Sequence, residues 1–373
     1  MVDVAVIGAG IAGLWSALEL LRQGARVIVL DARTPGMGAS AAAGGMLAPG
    51  AEGEGLSSAF NQLALRSRSV WADAARDIEA ASGIDIGFAA CGSLIVARDS
   101  AEALALQARC AAGLGQWLDA STLVRSFPAL SLALAGAAHV PGDGCVDNRA
   151  FMEALLLAVT RLGGQMHFAS GDAAITLSSG RVTGIVSRGV THEVPRVLVA
   201  AGAWSSNVQI MDEGNPRADI LPPVKPIKGQ MGMMPVDQLP MRELVWVGHT
   251  YLIPRRAQQL VLGATSEDAG FDDSISADAV ERLAVDARAT IPALAGRAVA
   301  ERWCGFRPMT PDGLPVLGET RVPGLYVASG QFRNGILFAP VIGATMAALI
   351  LGGAPSSDLA AFDPKRFDQP HGL

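Results

Sequence analysis

Six residues near the N-terminus constrain this chain more than any others. Gly8-Ala9-Gly10-Ile11-Ala12-Gly13 is a G-x-G-x-x-G run that follows directly on the β-branched stretch 2–7. Gly8 permits the tight turn out of a strand, Gly10 lets backbone approach a pyrophosphate, and Gly13 lets the next helix sit close to the sheet. Residues 14–21 continue as that helix to a stop at Gly24, and residues 26–30 form a second apolar strand ending on Asp31. The order strand, glycine turn, helix, strand, acid predicts a parallel α/β unit with a dinucleotide on the helix N-terminus and Asp31 on its ribose hydroxyls. FAD and NAD both satisfy this unit, and a glycine-rich turn without a ligand is the plain alternative.

Composition narrows the classes. The 373 residues suffice for two lobes with sizeable cores, and half are apolar with 17% charged, which suits a packed enzyme rather than a disordered chain. A net charge of −6 leaves no basic surface for nucleic acid. Cys91, Cys110, Cys145 and Cys304 show no metal-binding spacing, so no metal is expected. With no signal peptide read at the start, the cytoplasm is the expected compartment. The apolar run 335–352 contains Pro340 and Gly343 and reads as a buried helix rather than a membrane span.

Along the chain, residues 41–49 (A-A-A-G-G-M-L-A-P) carry so little bulk that backbone is expected against a flat ligand, unless they begin a helix packed tightly on the sheet. Residues 60–81 read as a helix with Leu63, Val70, Ala74 and Ile78 on one face. Stretches 84–88 and 92–97 read as strands, 100–114 as a helix, and 149–162 as a helix capped by Asn148. Strands are expected at 173–177, 181–187 and 197–200, the last rejoining the first sheet through A-G-A-W-S at 201–205. From 222 to 302 the pattern predicts strands at 243–247, 251–254 and 260–263, then a helix 276–291 capped by Ser276.

Three segments carry candidate chemistry: Y-L-I-P-R at 251–255, G-F-R-P-M-T-P-D-G-L-P at 305–315 and F-R-N-G-I at 332–336. Arg307 and Arg333 stand in apolar or glycine-rich surroundings where a guanidinium needs an anion, and its planar fork grips a carboxylate bidentately. Each could instead pair with an internal acid. Asp312 is either such a partner or a turn residue ahead of Gly313, and His249 reads as a loop histidine before a strand.

Taken in chain order, the N-terminal unit, A-A-A-G-G-M-L-A-P, A-G-A-W-S, Y-L-I-P-R, G-F-R-P-M-T-P-D-G-L-P and F-R-N-G-I resemble the D-amino-acid oxidase superfamily of flavoproteins, and most of all the bacterial glycine oxidases of thiamine biosynthesis. The resemblance implies an α/β fold with an α+β second lobe. A Rossmann-type FAD-binding domain would be built from residues 1–83, 140–211 and 302–373, and a discontinuous, mainly antiparallel substrate domain from 84–139 and 212–301. It implies FAD against Gly8, Gly10, Ile11, Ala12, Gly13, Asp31, Ala32, Ser40, Ala42, Ala43, Gly44, Gly45, Met46, Ala173, Ala201, Gly202, Trp204, Gly305, Arg307, Arg333, Asn334, Gly335 and Ile336. Arg307 matches the carboxylate-binding arginine and Tyr251 the tyrosine that shares that carboxylate. Arg333 and His249 match positions lining the site, and Met46 and Ser266 match pocket walls.

The implied reaction is oxidative deamination of glycine, sarcosine or a small D-amino acid. Hydride leaves Cα for flavin N5, and the products are a 2-oxo acid such as glyoxylate, ammonia or an amine, and hydrogen peroxide. The expected partners are a small amino acid and O2, with homo-oligomerisation left open. A D-amino-acid dehydrogenase reducing a quinone, and a flavin-binding subunit of a larger sarcosine- or proline-type complex, are the alternatives. Two departures from the pattern bear on this. Ser266 stands where glycine oxidases place a methionine, and Cys304 falls where sarcosine oxidases carry the cysteine joined to the flavin. A buried inert thiol and non-covalent FAD are expected, against covalent attachment at Cys304.

Overall fold

The computed structural model describes residues 2–35, 37–53, 57–354 and 357–368. Its first sheet has six strands in the order Val316–Glu319, Leu325–Ser329, Val197–Val199, Val4–Ile7, Val27–Leu30 and Gln165–His167. The strand Val4–Ile7 lies near its centre, parallel to Val27–Leu30 on one side and Val197–Val199 on the other. Alternation along this buried strand sends its side chains into two different cores. Val4 and Val6 pack on the helical side with the helix Ile11–Arg22, whereas Ala5 and Ile7 pack against Ile175, Leu177, Ile185 and Ile210. A parallel strand covered on both faces must be apolar throughout, and this one is. The expected return of the chain at Val197–Val199 is observed.

The stretches expected as strands at 173–177 and 181–187 do form strands, Ala174–Ser178 and Arg181–Ser187, but in a separate five-stranded sheet. Gly13 is required where the helix Ile11–Arg22 leaves the first strand, because a Cβ there would overlap the Gly8 carbonyl.

The helix Ser58–Ser82 corrects one sequence expectation. Its buried face holds Phe60, Leu63, Trp71, Ala75 and Ile78, while Val70 is exposed. Trp71 sets this rotation: its indole Nε1–H donates to the Leu337 carbonyl at 2.8 Å, and its ring meets Trp15 and Phe151 edge-on. Residues 84–88 belong to no strand, since Gly87 adopts φ +65° and pairing resumes with the single bridge Ala89↔Cys145. The helix Asn148–Arg161 is capped by Asp147 rather than Asn148.

The second large sheet has eight strands, ordered Glu301–Met309, Lys225–Pro235, Gln259–Gly263, Thr250–Arg255, Leu244–Val247, Ser93–Ala97, Gly136–Val140 and Gln116–Asp119. Apart from the parallel pair Leu244–Val247 and Ser93–Ala97, its described pairings are antiparallel. The helix Ala277–Thr290, capped by Ser276 as expected, lays Val280, Leu283, Ala284 and Ala287 on Leu252, Leu260 and Leu262. Lys225–Pro235 has no counterpart in the sequence reading. It pairs along its length with Glu301–Met309, so that strand runs in this sheet although the expected boundary fell at residue 302. The apolar run 335–352 forms the buried helix Gly335–Ile350. Among the described residues no helix is long and apolar enough to cross a membrane.

Candidate active site

A cavity of about 480 Å³ opens between the two large sheets, lined at one end by Gly8, Gly10, Ile11 and Ala12 and at the other by Tyr251, Arg307 and Arg333. The glycine loop reaches it because Val4–Ile7 ends there, at the C-terminal edge of the parallel sheet, where open α/β folds bind ligands. Asp31, at the end of the adjacent strand, also lines it. Its carboxylate accepts from the Ala9 amide at 2.8 Å and the Arg33 amide at 2.9 Å. Each oxygen retains a lone pair for a sugar hydroxyl.

Helix capping marks where an anionic ligand fits. Among the described helices of seven residues or more, Ser57, Asp99, Asp119, Asp147 and Ser276 each cap an N-terminus with a side-chain oxygen. The helices Ile11–Arg22 and Gly335–Ile350 have no such cap from Gly10 or Asn334, and both begin on the cavity wall. Their first-turn amides and positive dipole ends suit a pyrophosphate and an electron-rich ring. The buried side-chain nitrogen of Gln331, another lining residue, finds no partner among the described residues. An elongated anionic dinucleotide such as FAD fits these donors.

The small-residue loop at 41–45 is held from behind. Arg255, 8% exposed, donates to the Gly44 carbonyl at 2.8 Å and to Asn148 Oδ1 at 2.6 Å, and pairs with Asp147 at 3.0 Å. The Asn148 amide nitrogen in turn donates to the carbonyls of Ser40 and Ala41. Burial pulls the Arg255 guanidinium down from its usual range, and Asp147 opposes that shift. Asn148 thus fixes the cavity wall, which is why it does not cap its helix. Ser40 contributes further, its hydroxyl accepting the Ile11 amide at 3.0 Å.

At the far end Arg307 donates to the carbonyls of Thr265 at 3.0 Å and Lys228 at 3.4 Å. Among the described residues it has no carboxylate partner, since Asp312 pairs instead with Arg366 at 2.8 Å. The guanidinium lies over Gly229, where any Cβ would overlap it. Tyr251 is buried and packs on Trp246 with ring centroids 5.1 Å apart. Arg333 follows the other branch of the sequence expectation. It pairs with Glu52, Nη2 to carboxylate at 3.1 Å, and lies 5.8 Å from the Tyr251 ring. Burial pushes the Glu52 carboxyl up, partly offset by Arg333 and Arg307.

Most expected site residues come together. Ala32, Ala42, Ala43, Gly44, Gly45, Met46, Ala173, Ala201, Gly202, Trp204, Gly305 and Ile336 line the cavity. Four do not. His249 is exposed in the turn between Leu244–Val247 and Thr250–Arg255, and Ser266 is exposed beyond the end of Gln259–Gly263. Gly13 and Asn334 support the wall from behind rather than lining it. Cys304 is half-buried rather than buried; it lies off the cavity, its thiol against the Asp273 carbonyl, while Gly305 and Arg307 line it. Covalent attachment there does not match this geometry. Glu52, Gln331 and Gly229 were not anticipated. The one local sign of Glu52 is an acid set among small residues, a sign it shares with Glu54. No group of three or more His, Cys, Asp or Glu among the described residues is placed to hold a metal.

Known proteins share this fold. The family model described as FAD dependent oxidoreductase matches residues 3–349. Glycine oxidase of Geobacillus kaustophilus is 35% identical over 98% of this chain and 97% of its own. A crystal structure of glycine oxidase from that organism superposes with a TM-score of 0.88, covering 98% of both chains at 32% identity. Iminodiacetate oxidase from Chelativorans sp. superposes at 0.86, with 25% identity over 97% of this chain and 99% of its own. The bifunctional protein ThiO/ThiG of Trichormus variabilis is 32% identical over 98% of this chain. The chain spans about half the length of that relative, 55%.

Proposed function

This chain belongs to the FAD-dependent oxidoreductase family, and from that premise we propose that it is an amino-acid oxidase acting on glycine, sarcosine or a small D-amino acid. One observation carries the reading: Arg307, a cation without a carboxylate partner among the described residues, shares a single cavity with Tyr251 and the dinucleotide loop. A guanidinium so placed recognises a carboxylate, and a carboxylate beside a reacting amine defines an amino acid. The relatives named glycine oxidase and ThiO/ThiG support that substrate class and a link to thiamine synthesis.

FAD held by the glycine loop and the uncapped starts of Ile11–Arg22 and Gly335–Ile350 would supply a two-electron acceptor for the Cα hydride, with O2 as the terminal oxidant and hydrogen peroxide as its product. The chain's own residues supply position. Arg307 holds the carboxylate through its unpaired donors while the carbonyls of Thr265 and Lys228 fix its plane. Tyr251 shares that carboxylate through its hydroxyl. Buried walls from Met231 and Tyr251, with the half-buried Met46 beside them, exclude water until the C–H bond has broken. The resulting imine is hydrolysed to glyoxylate and ammonia from glycine, glyoxylate and methylamine from sarcosine, or the 2-oxo acid and ammonia from a D-amino acid. Once the substrate ammonium has released one proton to solvent, the nitrogen lone pair assists departure of the Cα hydride to the acceptor, so no side-chain base at Cα is needed.

The proposed division assigns residues 1–83, 140–211 and 302–373 to the flavin lobe and 84–139 and 212–301 to the substrate lobe, with Glu301–Met309 linking the two. The test is the electron acceptor: with sarcosine and air the holoenzyme should form one peroxide per amine consumed. Reduction of an artificial dye with negligible peroxide would make it a dehydrogenase instead.

A further inference from the structure

The geometry points to Glu52 as the residue that sets the charge class of the substrate: by holding Arg333 it leaves Arg307 as the cation available at that end of the cavity, so the site accepts an amine with one carboxylate and turns away an amine with two. The inference rests on the amino-acid site proposed above and deepens it.

Glu52 grips Arg333 with one oxygen, which accepts from Nε at 3.2 Å and pairs with Nη2 at 3.1 Å. The Glu52 side chain is 9% exposed, so this is not a surface pair formed and lost with solvent motion. Its backbone is pinned as well. Glu52 ends the short helix Pro49–Glu52, whose Gly50 and Ala51 amides are held at 3.0 and 3.1 Å by the buried carboxylate of Asp143.

Arg333 is poised where a second carboxylate would arrive. Its guanidinium lies 5.8 Å from the rings of both Tyr251 and Trp246, beside the tyrosine proposed to share the first carboxylate. Left unpaired, Arg333 would be a second anion site next to Arg307. Held by Glu52, it presents a neutral pair, and an incoming second carboxylate meets the like charge of Glu52. Arg307, Arg333 and Glu52 together carry one positive charge, which matches a substrate with a single carboxylate and a neutral amine. Discrimination by a repulsive group is a difference in affinity between two ligands, not a gain for the preferred one.

The test compares binding of acetate and malonate, two acids that carry no amine, by their perturbation of flavin absorbance in the holoenzyme. It also compares kcat/KM for sarcosine with that for iminodiacetate, the same secondary amine bearing a second carboxylate. In Glu52→Gln the preference for malonate over acetate and for iminodiacetate over sarcosine should each rise about tenfold or more. Arg333→Met should move both ratios the other way, and it keeps the inference testable if Glu52→Gln loses its flavin. Ratios that change less than about twofold in both variants, with acetate still bound through Arg307, would overturn the inference while leaving the amino-acid site intact. If neither acid perturbs the wild-type flavin and sarcosine is not oxidised, the reading of the site falls and this inference with it.

Discussion

Arg255 Nη2 donates to Asn148 Oδ1 at 2.6 Å across 107 residues of sequence, joining the eight-stranded sheet to the small-residue wall of the cavity. The amide nitrogen of the same Asn148 carries that hold to the carbonyls of Ser40 and Ala41. Arg255→Met leaves Asp147 and Asn148 without their buried partner, and losing one member of such a pair costs about 3 kcal/mol. A lowered thermal midpoint and weaker flavin retention are expected on gel filtration. An Arg255→Met protein with wild-type midpoint and full flavin would contradict the locking role.

Arg307 is predicted to act on substrate and not on fold. Arg307→Met should lower kcat/KM for glycine or sarcosine by on the order of 100-fold or more, the loss of a charge-assisted bidentate contact. Arg307→Lys should recover little of it, since an ammonium cannot reproduce the fork. Flavin content should stay near wild type in both, as read from the ratio of visible to ultraviolet absorbance.

Gly229 gives a subtler version of the same test. A Cβ at this position overlaps the Arg307 guanidinium, so Gly229→Ala must displace the cation without removing it. KM should rise about tenfold with flavin content unchanged. An unaltered KM would mean that the guanidinium is free to lie elsewhere.

Cys304 faces the Asp273 carbonyl, away from the cavity, and burial raises its thiol from the ordinary range, which favours the unreactive protonated form. Acid precipitation should therefore release all flavin and leave a colourless pellet, and Cys304→Ser should keep both flavin and turnover. Yellow colour held in the pellet would refute this.

What could be read from the chain alone was whatever is encoded locally. The unit from Val4 to Asp31 is legible because turn, helix start and acid lie within one stretch, and their order is a physical requirement of the ligand. The Ser276 cap and the buried helix Gly335–Ile350 are legible for the same reason. The strand Lys225–Pro235 was hidden because Pro226, two lysines and two glycines break its pattern, and its pairing comes from Glu301–Met309 far along the chain. The helix face was misread by one residue because Trp71, not Val70, is anchored to the Leu337 carbonyl. The likeness to other chains brings His249 and Ser266 to the site, but both are exposed just past the ends of Leu244–Val247 and Gln259–Gly263, strands that contribute no residue to the cavity lining. Glu52 meets Arg333 across 281 residues, a relationship that no local pattern carries.

The central claim is that Arg307 presents an amino acid to the flavin, and anaerobic mixing tests it most directly. Glycine or sarcosine should bleach the flavin of the wild-type holoenzyme, readmitted air should restore the colour with one peroxide per amine, and Arg307→Met should slow the bleaching at least about 100-fold. Flavin that stays oxidised with every small amino acid tried, or that bleaches equally fast without Arg307, would contradict the account.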